Sequence, residues 1–197
     1  MHRLALSALA VLALATSALA QSATWNIDPA HSTIGFGVRH MMVSTVRGKF
    51  TKFTGTITGD PAKPTEAVID VTIDASSIDT ENEKRDDHLR GADFFDVAKF
   101  PTITFKSKQI APGPDGTFLV TGDLTMHGTT KELVLTVSEF AAPIQDPMGN
   151  LRGGGHVTGK LDRQAYGIDF SKTMDAGGLL VGNEVTISVD VEATKAK

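Results

Sequence analysis

Val185-Thr186-Ile187-Ser188-Val189-Asp190-Val191-Glu192 places an apolar side chain at every odd position and a polar one at every even position. In an extended chain successive side chains leave opposite faces, so this run has one dry face and one wet face. The same alternation recurs upstream. Ile34, Phe36 and Val38 are spaced by Gly35, Gly37 and Arg39, and Ile69, Val71 and Ile73 by Asp70, Thr72 and Asp74. Phe118, Val120, Leu124 and Met126 share one parity, Leu133, Leu135 and Val137 another, and Val157, Gly159 and Leu161 a third. Turn residues separate the runs: Gly59-Asp60-Pro61, Pro112-Gly113-Pro114-Asp115-Gly116 and His127-Gly128. About eight such strands predict a mainly β chain closed into an antiparallel barrel, because an open sheet would leave two edges unpaired. A β-sandwich is the competing architecture on pattern alone.

Three segments depart from the alternation. Across 46–58 the parity switches, with Val46, Gly48 and Phe50 followed by Phe53, Gly55 and Ile57, which predicts a bulge near Thr51-Lys52. Thr80-Glu81-Asn82-Glu83 reads as a capping box with Thr80 as N-cap, opening one short polar helix through Arg90 that stops near Gly91 and lies across one barrel end. The stretches 142–155 and 171–183 are glycine-rich without clear period and read as long rim loops.

Composition narrows the function. The 197 residues include no cysteine, which removes zinc fingers, iron–sulfur clusters, thiol nucleophiles and disulfides. Net charge is −4 with no block of lysine or arginine, so the basic surface that holds nucleic acid is missing. Met1-His2-Arg3, an apolar run over 4–19 and a closing Ala18-Leu19-Ala20 read as a secretory signal cut after Ala20. Residues 21–197 are then one exported domain, expected in the periplasm. Arg3 is the only charged residue in the signal, so the mature chain keeps 18 basic and all 23 acidic residues.

An eight-stranded barrel is filled by its own side chains or holds one small ligand. Glycines at inward parity (Gly48, Gly55, Gly122 and Gly159) either leave that volume empty or let the strands bend. Ser32 and His40 lie at the two ends of the 34–38 stripe, and Arg163 follows Leu161 on the same parity. Polar groups closing an apolar stripe suit a mouth that meets a polar headgroup, or simply face water beyond the rim. No HExxH, GxSxG, P-loop or dinucleotide fingerprint occurs, so catalytic residues and metal ligands are both read as none and no cofactor is expected. The cluster Arg85-Asp86-Asp87-His88 reads as a salt-bridged helix face. An isomerase or hydrolase using that turn or His31 is the weaker, enzymatic alternative.

Several motifs together carry a resemblance. Trp25-Asn26-Ile27-Asp28-Pro29-Ala30-His31-Ser32, Phe36, His40 and Val46-x-Gly48-x-Phe50 resemble the opening of the YceI-like, polyisoprenoid-binding family. The similarity continues through Ser77-Ile78-Asp79-Thr80, Arg85-Asp86-Asp87-His88-Leu89, Asp93-Phe94-Phe95-Asp96 and Phe100-Pro101-Thr102-Ile103-Thr104-Phe105. It extends to Gly122-Asp123-Leu124-Thr125-Met126-His127-Gly128, Arg163 with Tyr166-Gly167-Ile168, and Val181-Gly182-Asn183-Glu184-Val185. Two departures stand out: Glu81-Asn82, where the family carries a glycine-containing Thr-Gly-Asn run, and His127, where a long side chain or arginine is usual.

The resemblance implies a lipocalin-like barrel with an elongated apolar tunnel that carries a long isoprenoid chain, a polyprenyl phosphate or a quinone-type tail. A broad scavenger of amphiphiles is the alternative. The tail would lie along Ile34, Phe36, Val38, Phe50 and Ile69 on one part of the wall and Val71, Phe105, Val120, Leu135 and Val189 on the other. His40, Arg85, His88 and Arg163 are the candidates for the polar end. The expected partner is thus a long-chain amphiphilic lipid, with transient membrane contact and no nucleic acid.

Overall fold

The computed structural model describes residues 22–170 and 179–197. The segment read as an export signal and residues 171–178 of the second glycine-rich connection lie outside the described residues. Among the described residues the strands are β1 Ala23–Ile27, β2 Thr33–His40, β3 Ser44–Phe50, β4 Phe53–Gly59, β5 Val68–Asp74, β6 Ile78–Asp79, β7 Thr102–Pro112, β8 Phe118–Met126, β9 Thr129–Gln145, β10 Leu151–Asp162 and β11 Val181–Lys195; the helix α1 is Glu83–Arg90.

These strands make an eight-membered ring, because each of the first three positions is a strand broken in two. β1 and β2 both lie against β11, at its C-terminal and N-terminal parts. On their other side β1 pairs with β4 and β2 with β3. β5 then pairs with β4 and the short β6 with β3. From β5 the ring runs through β7, β8, β9, β10 and β11, antiparallel at every step. It closes where Trp25 sits opposite Lys195 and Ile27 opposite Ala193. The sheet thus closes on itself and is not a sandwich of two open sheets.

The first break follows Pro29, which has no N–H to give a ladder. The second falls at Thr51-Lys52, where the parity switch put it. There the backbone N–H of Thr51 donates to the Ser77 carbonyl and that of Lys52 to Ser77 Oγ, so Phe50 and Phe53 both turn inward and are buried. The inward glycines neither leave voids nor merely bend the strands: side chains of adjacent strands lie over them. A Cβ at Gly48 would stand 2.5 Å from Phe36 Cζ, one at Gly55 2.6 Å from Ile27 Cδ1, one at Gly122 2.5 Å from Phe105 Cζ and one at Gly159 2.5 Å from Leu135 Cδ2.

Two local expectations are corrected. The helix begins at Glu83, and its N-cap is Asn82, whose side chain accepts from the Arg85 N–H. Thr80 cannot cap, because its hydroxyl is buried against Asp86 Oδ1 and receives Arg85 Nε. Between them Glu81 takes a left-handed backbone (φ 61°), a conformation that glycine adopts at lower cost. The helix does stop at Gly91, its C-cap.

The second correction concerns 142–155, read as a loop. It is the far part of β9, a tight turn over 146–150, and the start of β10. Two register shifts between β9 and β10 each place an extra residue in β9, which breaks the period of two. Gly153, Gly154 and Gly155 then show no side-chain pattern at all.

The ring has two unlike ends. At one lie α1, the β2–β3 and β8–β9 turns and the turn 163–166 that leaves β10; this is the helix end. At the other lie the β4–β5, β7–β8 and β9–β10 turns and the chain's C-terminal residues; this is the hairpin end.

Candidate functional site

Alternating strands around a closed ring turn half of their side chains inward, and here those side chains do not fill the middle. A cavity of about 710 Å³ runs through the barrel, bounded by Trp25, Ile57 and Phe118 toward the hairpin end and by Phe94, Phe170 and Leu180 toward the helix end. That size falls within the range of about 300–1,000 Å³ usual for small-molecule sites. All ten residues expected to line a tail form its wall: Ile34, Phe36, Val38, Phe50, Ile69, Val71, Phe105, Val120, Leu135 and Val189.

His40, Arg85, His88 and Arg163 also border the cavity, and all four belong to the helix end. Their availability differs. Arg163 is only 4% exposed, and its guanidinium donates to the carbonyls of Gly182 (2.9 Å), Ile168 (2.6 Å) and Val181 (3.3 Å) and to Asn183 Oδ1 (3.2 Å). Burial pulls its pKa below the usual arginine value, partly offset by Asp162 and Asp169. Tyr166 beside it is buried too, which raises its phenol pKa. Arg163 is therefore a clamp on the entry to β11, with four of its five N–H groups spent.

Arg85 spends less. Nε and one N–H of Nη2 bind Thr80 Oγ1 and the Thr80 carbonyl, both at 2.7 Å, and Nη1 has no partner among the described residues. Asp86 on the same turn is buried and accepts from the Thr80 N–H and hydroxyl. His88 Nε2 pairs with Asp93 Oδ2 at 2.9 Å on the surface, and its ring meets Phe94 and Phe170 edge-on. His40 is half-buried with no side-chain hydrogen bond among the described residues. His40 and Arg85 are thus the groups at this mouth with polar capacity left for a bound headgroup.

At the hairpin end the inner rim is Phe118, Phe140, Pro61, Pro64 and Pro143, with Phe118 and Phe140 edge-to-face at 5.7 Å. Asp60 also borders the cavity there, and its Oδ2 is buried without a hydrogen-bond partner.

Outside the barrel wall sits an ionic cluster the sequence did not announce. Asp28, His31 and Glu192 approach closely enough to suggest a metal site. The cation among them is Arg152: Nη1 reaches Asp28 Oδ2 (2.9 Å) and Glu192, while Nε reaches Asp146 Oδ2 (2.8 Å). Hydrogen bonds from His31, then Arg152, then the Ala30 N–H lower the Asp28 carboxyl to about 2. Asp146 is pulled down as well, mainly by Arg152, and Arg152 is pushed up by Asp146. His31 does not border the cavity, so the enzymatic reading loses it as a group facing a buried substrate.

A closed antiparallel barrel around an apolar cavity, with most of its polar lining at one mouth, defines a class of small lipocalin-like binding folds. Residues 25–193 match the YceI-like domain, and the chain belongs to that family. A UPF0312 protein of Vibrio cholerae is 40% identical over 151 residues, covering 76% of this chain and 79% of that protein. The crystal structure of Burkholderia cenocepacia BcnA superposes with a TM-score of 0.72 at 28% identity, covering 85% of this chain and 99% of that one. A polyisoprenoid binding domain from Saccharophagus degradans, implicated in plant cell wall breakdown, shares the fold with a TM-score of 0.63 at 15% identity, over 89% of this chain and 100% of that one.

Proposed function

We propose that this protein is a periplasmic carrier that holds a long isoprenoid chain, a polyprenyl phosphate or a quinone-type tail, inside the barrel, and that it is a binding protein rather than an enzyme. The observation that carries the reading is the cavity of about 710 Å³, apolar along its length, with His40 and Arg85 holding unused polar capacity at one mouth. Family membership and the polyisoprenoid-binding neighbour support it.

The energetics favour exchange with membrane over uptake from water. Each buried methylene contributes about 0.8 kcal/mol, so a five-carbon unit contributes about 4 kcal/mol and an eight-unit tail about 30 kcal/mol. Non-covalent affinities saturate near roughly −20 kcal/mol, so burial from water overstates what binding delivers. A bilayer already supplies the same burial, which leaves transfer between bilayer and cavity nearly balanced and reversible.

Protein purified after export, extracted with organic solvent and analysed by mass spectrometry, is expected to release a long-chain lipid, and stripped protein to take up added polyprenyl phosphate. The variant Val189→Trp, which places a large ring on the cavity wall, is expected to lower uptake at least about tenfold while the far-UV spectrum stays that of a β-barrel. No extractable lipid together with no uptake would overturn the reading.

A further inference from the structure

The hairpin end carries an apolar element that the cavity only partly uses. β8 begins opposite Val137, so β9 beyond that residue has no neighbour on its outer side, while β10 stays paired to β11 as far as Arg152. The overhang exposes large apolar side chains: Phe140 at 43%, Ile144 at 70%, Met148 at 79% and Leu151 at 36%. Phe140, Ala141 and Pro143 also line the cavity, so the apolar surface of the hairpin continues the barrel's inner wall.

The polar side chains of its turn are spent internally. Asp146 accepts from the N–H groups of Met148 and Asn150, from Asn150 Nδ2 and from Arg152 Nε, and Gln145 Nε2 donates to the Gly149 carbonyl. The charge of Arg152 is met by three carboxylates, which leaves Glu139 as the one unpaired charge between 138 and 152. A tip built this way, from Ile144 to Leu151, enters a low-dielectric boundary without burying a lone charge, provided that Glu139 and the open backbone edge of β9 behind it stay among the headgroups and water. The basic residues at this end are few, Lys63 paired with Glu66 and Lys195 and Lys197 at the end of β11, so apolar contact more than attraction to anionic headgroups would hold it.

We infer that residues 144–151 seat the hairpin mouth on the surface of a lipid bilayer, with Ile144 and Met148 entering the boundary between headgroups and acyl chains. The inference rests on the carrier reading above, because a hydrocarbon cargo avoids water during transfer only if a mouth of the barrel meets the bilayer.

The test is flotation of protein purified after export with phosphatidylcholine vesicles at low and high salt. Wild type and variants share one N terminus. The double variant Ile144→Ser/Met148→Ser is compared with Met42→Ser/Val43→Ser, which removes exposed apolar side chains at the helix end. The wild type is expected to float equally at both salt concentrations, the hairpin variant to lose at least about tenfold in bound fraction, and the helix-end variant to match the wild type. Uptake of polyprenyl phosphate from detergent micelles is measured alongside. A wild type that loads from micelles but does not float overturns the docking surface and leaves the carrier reading standing. Failure to load from micelles overturns the carrier reading instead. Equal loss in both double variants, or a hairpin variant that changes only from dimer to monomer in sedimentation, also overturns the proposal, the latter in favour of a second copy of this chain on that face.

Discussion

Apart from Asp60, which borders the cavity at the hairpin end, the two mouths of the barrel place their charge on opposite sides of the wall. At the helix end, Arg163, Arg85 and Asp86 are turned inward and bound to the chain's own backbone and Thr80, with His40 beside them. At the hairpin end the ionic cluster around Arg152 lies on the outer surface, and the inner rim is aromatic and proline-rich. A ring of similar strands thus acquires a direction: one mouth has polar groups within reach of a ligand, while the other offers mostly hydrocarbon.

The contrast breaks most visibly at Arg163. Arg163→Met should remove about 3 kcal/mol of stability, because it strands buried carbonyls at Gly182 and Ile168 that water cannot reach. Urea unfolding measures this. Arg163→Lys should recover only part, since a point cation cannot reach carbonyls spread over three residues at once. A loss below about 1 kcal/mol would show that the carbonyls are wet and the helix mouth is open around them.

A smaller, pH-dependent effect belongs to the other mouth. The Asp28 carboxyl titrates near 2 when folded against an ordinary 3.8, so its contribution is full above 3.8 and is lost as the pH falls through about 2. Arg152→Met removes the second largest of its stabilising contacts. The expected result is lower stability at neutral pH, a flatter loss between 3.8 and about 2, and faster amide exchange over 146–152. Unchanged exchange there would mean the turn is held by Asp146 and Asn150 alone.

Much of the ring was legible because one face of each strand is dry. Stripes such as 34–38 and 69–73 identified the inward parity, and the ten wall residues follow from it. The switch at 51–52 was visible because Phe50 and Phe53 are both large and both inward. The outer reach of β9 was not, since its two bulges break the period of two and three glycines of β10 face the stretch between Ser138 and Ile144. Arg163 could be read as inward, but its role depends on carbonyls that only the folded connection brings near. The Arg152 cluster joins residues 124 positions apart and leaves no local pattern at all.

The smallest effect sharpens the reading of the helix approach. Glu81 holds a left-handed backbone conformation that glycine adopts without cost. Glu81→Gly should raise stability by up to about 1 kcal/mol in the same urea assay. A decrease would show that the Glu81 side chain does more than tolerate its turn.

The ring closes between its first and last strands: Trp25 faces Lys195, and the Ala196 N–H donates to the Thr24 carbonyl at 2.8 Å. This seam joins the residues most distant along the chain, the kind of pairing that forms late and slowly. Until about residue 193 has arrived, the polypeptide has a wall but encloses nothing. Completion of the fold and the first chance to hold any guest are therefore the same event, and a shortened chain forfeits both together.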